Sequence, residues 1–319
     1  MEGKFQNPYI SLIVGPTAVG KTEIALVVAE TLQGEIISAD SRQVYQGMDI
    51  GTAKPTVAQR RKIPHHFVDE LPPTARFSAG DFGIQARKVI QDIMAAGRIP
   101  IVVGGSGLYI RALMDGFFEG KSWDPDLRHE LSERVDREGL SALYQEVVFR
   151  DPPATRTIMP NDRKRIIRAL EIMELTGKPM TAVWKEKQLH SPFRGIWCGI
   201  TMPRVDLYQR INHRVLEMID QGLTDEVKKL LNDGVPPVVN AMNSVGYSET
   251  IQYLQGKINY DEMVELIQRH TRHFAKRQWS WFKRDPRIRW FTRLSDQDAV
   301  SIARDIITHI REILASGID

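Results

Sequence analysis

Through the first third of the chain, short apolar runs alternate with longer amphipathic stretches. Tyr9-Ile10-Ser11-Leu12-Ile13-Val14 is apolar and rich in β-branched residues, which predicts a buried strand. Glu23-Ile24-Ala25-Leu26-Val27-Val28-Ala29-Glu30 reads as a helix, and Gly34 to Asp40 as a second strand. Ala79 to Ala96 places Phe82, Ile84, Ala86, Val89, Ile90 and Ile93 at helical spacing and stops at Gly97. Ile99 to Val103 is another short buried strand, followed by Gly104-Gly105-Ser106-Gly107 and a helix from Leu108 to about Met114. Such alternation means a parallel sheet with helices on its faces. Ligands gather at the carboxyl ends of strands in such sheets. Three polar strand ends are therefore expected to converge: Gly15 to Thr22, Asp40 to Gln43, and Gly104 to Gly107.

After Gly116 the pattern changes. Trp123 to Lys187 is charged, lacks β-branched runs and has helical spacing, with Asp124-Pro125 opening one helix and Asn161-Asp162 capping another. Ile196 to Ile200 reads as a strand returning to the sheet, and Val205 to Gln221, Leu223 to Asn232 and Asp261 to Lys283 as helices. Residues 1–118 are thus read as the first part of the core, 119–195 as a helical insertion domain, and 196–319 as completion of the core with basic C-terminal helices.

The segment Gly15-Pro16-Thr17-Ala18-Val19-Gly20-Lys21-Thr22 fits the phosphate-binding pattern G-x-x-x-x-G-K-[ST] at every fixed position. With a strand before it and a helix after, it points backbone N–H groups and a helix N-terminus at one phosphate group. Lys21 adds a point charge, and the Thr22 hydroxyl is placed to hold Mg²⁺. The expected fold class is α/β, a P-loop parallel sheet flanked by helices. The motif reports phosphates without choosing between a nucleotide and another diphosphate.

Composition narrows the setting. The 319 residues carry a net charge of +3 and a single cysteine, Cys198, so an internal disulfide and a cysteine-based zinc site are excluded. No apolar run approaches the roughly 20 residues that span a bilayer. No secretory pattern opens the chain, and a cytoplasmic monomer is expected. From Arg269 to Arg293 nine Lys/Arg face one acid, Asp285, which points to a polyanionic partner. Asp40, after its strand, reads either as a helix cap or as a base or water-mediated metal ligand. Arg210 and Arg214 share a helix face, which by itself reads as a solvated surface.

Around Asp40 the text is Ser38-Ala39-Asp40-Ser41-Arg42-Gln43-Val44-Tyr45, continuing to Pro55. With Phe77-Ser78-Ala79, Gly97-Arg98-Ile99-Pro100 through Gly104-Gly105-Ser106 to Leu108-Tyr109, Val245-Gly246-Tyr247, and Lys276-Arg277-Gln278 with Trp281, the chain resembles the tRNA dimethylallyltransferases of bacterial type, also called tRNA isopentenyltransferases. The matching segments run in order over most of the chain. Ser106 stands where the family often has threonine, so the hydroxyl is kept.

The resemblance implies transfer of a dimethylallyl group from dimethylallyl diphosphate to the exocyclic amine of the adenosine 3′-adjacent to the tRNA anticodon. It implies that the phosphate loop holds the prenyl diphosphate, clamped by Arg210 and Arg214. Asp40 would be the base, with Ser106 and Arg214 the other catalytic positions. Asp40, Ser41, Arg42, Gln43, Ser106, Arg128, Lys164, Arg165, Arg168, Gly246, Tyr247, Lys276, Arg277, Gln278 and Trp281 would meet the tRNA anticodon stem-loop. In the Asp261 to Arg284 stretch, Val264, Ile267, Phe274 and Trp281 form a candidate core stripe, with Arg269, Arg272, Lys276, Arg277 and Lys283 on an RNA face. His65-His66 lacks acidic or cysteine partners at metal spacing and is read as structural. Cys198 is read as a buried apolar residue, and Trp279 and Trp290 as packing residues or stacking platforms. An adenylate-type isopentenyltransferase and a small-molecule or nucleotide kinase are the alternatives. The basic helical parts argue against both.

Overall fold

The structure is a computed structural model that describes residues 8–116, 123–185, 191–294 and 297–316. Two compact units emerge, one of residues 1–114 with 191–319 and one of residues 115–190.

The larger unit is built on a six-stranded parallel sheet: β1 (Tyr9–Val14), β2 (Gly34–Ser38), β3 (His65–His66), β4 (Ile99–Gly104), β5 (Arg194–Thr201) and β6 (Arg289–Thr292), in the order β3-β2-β4-β1-β5-β6. β1 sits inside, paired through Ser11 with Ile101 on one side and with Ile196 on the other. Leu12, Ile13 and Val14 have no exposed surface, as an apolar run in a sheet covered on both faces requires. In sequence order the helices of this unit begin with α1 (Lys21–Leu32), α2 (Val57–Lys62), α3 (Ala79–Ala95) and α4 (Gly107–Met114). Ser78 caps α3 in a reciprocal pair with Asp81.

The smaller unit holds α5 (Pro125–Glu138), α6 (Leu140–Arg150), α7 (Arg163–Thr176) and α8 (Met180–Lys185). Asp124 caps α5 and Asp162 caps α7, at the two positions where polar residues precede amphipathic runs. Leu131, Leu143, Val147, Ile166 and Leu170 close its core.

The chain then returns to the sheet through β5 and continues with α9 (Arg204–Asp220), α10 (Leu223–Asn232), α11 (Tyr247–Leu254), α12 (Tyr260–Phe282) and α13 (Ala299–Ser316). α13 packs on α1, and Ile302, Ile306 and Ile310 join Ala25 and Val28 in one apolar cluster. Among the described residues no helix is long and apolar enough to cross a membrane.

The four longer strands fall where the apolar runs place them, while β3, β6, α2, α11 and α13 were not anticipated. β3 is two residues long and carries no periodicity to read. The buried stripe of α12 also corrects the expectation. It runs Met263, Ile267, Ala275, Gln278, Phe282, whereas Phe274 and Trp281 are 36% and 44% exposed. Arg272 turns inward, donating to the Asn212 side-chain oxygen at 2.6 Å and tying α12 to α9.

Candidate active site

The phosphate loop leaves β1 at Gly15, whose φ of 149° suits glycine, and a Cβ there would stand 2.4 Å from the Ile200 carbonyl of β5. It re-enters helix at Gly20, with φ 95°, and no side chain caps the first turn of α1. The N–H groups of that turn thus remain available to a ligand. Three side chains hold the loop by its backbone. Lys21 donates to the Pro16 carbonyl at 2.7 Å, Arg210 to the Ala18 carbonyl at 3.1 Å, and the Gln278 amide oxygen accepts the Thr17 N–H at 2.7 Å.

Burial lowers the Lys21 ammonium from 10.5 to about 8; the Asp40 carboxylate opposes that shift and the Arg214 guanidinium adds to it. Arg214 is itself pulled down, first by burial, with Asp40 resisting. Lys21, Arg214 and Asp40 therefore lie within one electrostatic neighbourhood. Together with Thr22 and Arg210 they line one cavity of about 860 Å³. The face that Arg210 and Arg214 share on α9 is thereby directed to the cavity and not to open solvent.

Asp40 follows β2, and its carboxylate accepts the Arg42 N–H at 2.9 Å. The second strand end reaches it because Gly104 has no side chain: a Cβ would lie 2.1 Å from the Ala39 carbonyl. That approach lets Ser106 donate its N–H to the Ala39 carbonyl and accept the Ser41 N–H on its hydroxyl, both at 3.2 Å. Gln43 accepts from the Ser38 hydroxyl at 2.9 Å and donates to the Thr52 and Ala53 carbonyls. Arg42 donates to the Asn240 carbonyl at 2.8 Å. The three strand ends do converge.

Part of the wall was missed. Asp49, Ile50 and Thr52 to Pro55 line the cavity, in a stretch that no periodicity marks. Lys54 is buried, donating to the Tyr45 carbonyl and to Asp69 at 2.8 Å each and pairing with Asp49. Burial alone would raise the Asp69 carboxyl, but Lys54 and Arg60 outweigh it and hold it low. Glu226 of α10 gathers the N–H groups of Asp49, Ile50 and Gly51 at 2.9, 2.7 and 3.2 Å and also accepts the Tyr247 hydroxyl at 2.5 Å. Arg293 braces the loop from behind, paired with Glu23 at 3.1 Å.

Tyr247 and Gln278 stand apart from the other residues assigned to RNA. Tyr247 has no exposed surface. Gln278 is 6% exposed, and its amide nitrogen donates to the Gly105 carbonyl at 3.0 Å. Both side chains are occupied inside the protein. Gly246 is buried at the start of α11, with φ 95°. Lys276 and Arg277 are exposed, Arg277 lies over the Phe274 ring at 5.7 Å, and Trp281 packs over Gly107.

Arg128, Lys164, Arg165 and Arg168 belong to the smaller unit. Arg128 and Arg168 face the buried Glu171 at 3.6 and 2.9 Å, Arg165 pairs with Asp162, and Lys164 is exposed.

His65 and His66 have structural partners: His65 bonds the Ile63 carbonyl and His66 bonds Glu35, each at 2.7 Å. Among the described residues no cluster of three His, Cys, Asp or Glu side chains forms a metal site. Cys198 is buried, its thiol pushed up to about 12. Trp279 and Trp290 are half-buried and meet edge to face at 4.6 Å, so each packs on the other.

Residues 43–285 match the family model described as IPP transferase. The chain is 50% identical over 282 residues to a tRNA dimethylallyltransferase of Carboxydothermus hydrogenoformans, covering 88% of this chain and 90% of that one. It is 45% identical over 287 residues to the enzyme of the same description from Desulfitobacterium hafniense, covering 89% and 91%. Its fold resembles the tRNA isopentenylpyrophosphate transferase of Bacillus halodurans, with a TM-score of 0.73, 40% identity and 98% of each chain covered. A eukaryotic dimethylallyltransferase acting on tRNA gives a TM-score of 0.85 at 26% identity, over 98% of this chain and 80% of that one.

Proposed function

The chain belongs to the IPP transferase family, and from that premise we propose that it transfers the dimethylallyl group of dimethylallyl diphosphate to N6 of the adenosine 3′-adjacent to the tRNA anticodon. The observation that carries this reading is one cavity lined by both the phosphate loop and Asp40. A donor diphosphate on Lys21 and the α1 N-terminus would present its allylic carbon to an acceptor held at Asp40.

As the bond between C1 and the diphosphate oxygen breaks, negative charge grows on the leaving group. The N–H groups of Ala18 to Thr22, Lys21, Arg210 and Arg214 stabilise that charge. The N6 lone pair forms the new bond to C1, and the proton that N6 loses passes to the Asp40 carboxylate. Ser106 fixes the Ser41 backbone beside Asp40 and so holds the carboxylate's position. Arg42, already folded in an internal contact, and Ser41 and Gln43 flank the route of the base. An adenine stacked in the loop must be extruded to reach Asp40, which costs a few kcal/mol. The exposed Lys276, Arg277 and Trp281 are the contacts that offset it. We further propose that the chain acts as a monomer in the cytoplasm.

The donor set suits Mg²⁺. Thr22 brings a hydroxyl oxygen to the cavity wall, and hard cations take oxygen ligands shared with substrate phosphates. When bound, the ion would neutralise diphosphate charge.

The test is label transfer from dimethylallyl diphosphate into unmodified tRNA, with Mg²⁺ and without ATP, beside AMP as acceptor. Label in tRNA alone supports the reading. Label in AMP favours the adenylate-type reaction, and ATP turnover without label favours a kinase.

A further inference from the structure

The side chain of Gln278 lies between the two halves of the site. Its amide oxygen accepts the Thr17 N–H of the phosphate loop, and its amide nitrogen donates to the Gly105 carbonyl. Thr17 belongs to the loop that takes the donor. Gly105 opens the turn whose next residue, Ser106, accepts the Ser41 N–H beside Asp40. Hydrogen bonds and the short backbone steps between them thus link the donor loop through Gln278 to the segment that carries Asp40.

The fit is tight. A Cβ on Gly105 would lie 2.1 Å from the Gln278 amide nitrogen and 3.3 Å from the Gly15 carbonyl. One turn further along α12, Trp281 packs on the same glycine turn, and a Cβ on Gly107 would stand 2.2 Å from its indole nitrogen. α12 therefore meets the turn at two points, through the buried Gln278 and the partly exposed Trp281. Its outer face presents Lys276 and Arg277.

We propose that Gln278 is a positioning residue that couples the two substrates: RNA docked on α12 fixes the donor loop through the Gln278 amide, so each substrate binds more tightly when the other is present. This rests on the reading of α12 as an RNA face. The physical cause is shared ordering. An RNA that immobilises α12 also immobilises the Thr17 N–H and the Gly105 turn, so the donor no longer bears that cost. No change of shape is required. Linkage demands that the effect be reciprocal, with a factor typically of about 5 to 150. Simple core packing by Gln278 would alter stability and leave the coupling factor untouched.

The experiment measures coupling directly. Binding of a thio-bridged dimethylallyl diphosphate analogue, which resists ionisation, is measured by calorimetry with and without an unmodified anticodon stem-loop RNA. The RNA is then titrated with and without the analogue. The wild-type protein is expected to give the same enhancement in both directions, at least about fivefold. Gln278→Met keeps the length of the side chain and loses both hydrogen bonds. It is expected to bind RNA alone within about twofold of wild type while its coupling factor falls below about two. If that variant does not fold, Gln278→Glu keeps the acceptor for Thr17, loses the donor for Gly105, and is expected to lose the coupling likewise. A folded variant with the wild-type coupling factor overturns the proposal, as does a wild-type factor of one. Label transfer by the same wild-type sample into the same RNA keeps the two readings apart. Transfer without coupling removes the inference alone, and absence of transfer removes the proposed function.

Discussion

Replacing Lys21 by methionine should stabilise the ligand-free protein while abolishing its use of the donor. The ammonium lies 2.7 Å from the Pro16 carbonyl, with Arg214 contributing repulsion and burial removing water. Folding lowers its pKa from 10.5 to about 8. At 1.36 kcal/mol per pH unit, the buried charge costs the folded state about 3 kcal/mol. The sign follows from proton counts. Below pH 8 both folded and unfolded chains are protonated at this site and the cost is fully present. Between about 8 and 10.5 the folded chain releases the proton while the unfolded chain keeps it, so wild-type stability rises with pH. Above 10.5 both are neutral and the cost is gone.

Lys21→Met removes the charge at every pH and gives up one hydrogen bond, worth about 1 kcal/mol. Urea unfolding at pH 7 should therefore show the variant more stable by about 2 kcal/mol. The gap should close as pH rises from 8 towards 10.5. Addition of the thio-bridged donor analogue should reverse the order, because only the wild type gains from binding. A variant less stable than wild type at pH 7, or a gap independent of pH, would refute the argument that the folded state bears a destabilising buried charge for its ligand.

Three further outcomes are expected. Asp40→Asn keeps the Arg42 N–H contact and removes the proton acceptor, so single-turnover transfer should fall by about 10²- to 10⁴-fold while RNA affinity stays near wild type; retained transfer would remove Asp40 from the mechanism. Arg277→Ala should weaken RNA binding and reduce the slope of log K against log salt by about 1; an unchanged slope would mean that no phosphate contact is made there. Tyr247→Phe leaves one Glu226 acceptor site unfilled and should lower stability by about 1–3 kcal/mol with RNA affinity unchanged, read by urea unfolding beside an RNA titration. Lost affinity at unchanged stability would return Tyr247 to the RNA surface.

What the sequence reveals depends on how local each device is. The phosphate loop is legible because strand, loop and helix lie within consecutive residues, and each fixed position has a local backbone reason. Asp40 and Ser106 are legible as polar residues at strand ends, since parallel sheets bring those ends together. The braces are not legible in this way. Thr17 and Gln278 are 261 positions apart, and Ile50 and Glu226 are 176 apart, so nothing in the neighbouring text announces either contact. Glu226 reads as one more charge on an amphipathic helix until its carboxylate is found collecting three N–H groups of the cavity wall.

Gln278 did leave a trace. The buried stripe of α12 is Met263, Ile267, Ala275, Gln278 and Phe282, a helical spacing with one polar member. The sequence reading placed the stripe on the larger side chains Phe274 and Trp281, because bulk is the stronger hydrophobic signal. Gln278 lies on the same helix face as that stripe, and its assignment to the RNA came from the family resemblance alone. The opposite inference is physically sounder. A buried amide must find partners, and an unpaired one costs about 1–3 kcal/mol. A glutamine on the inner stripe of a helix that packs against two glycine-rich turns thus implies a backbone N–H and a carbonyl waiting for it. Those two turns are the donor loop and the acceptor turn, so the residue that looked like surface chemistry instead sets the spacing between them.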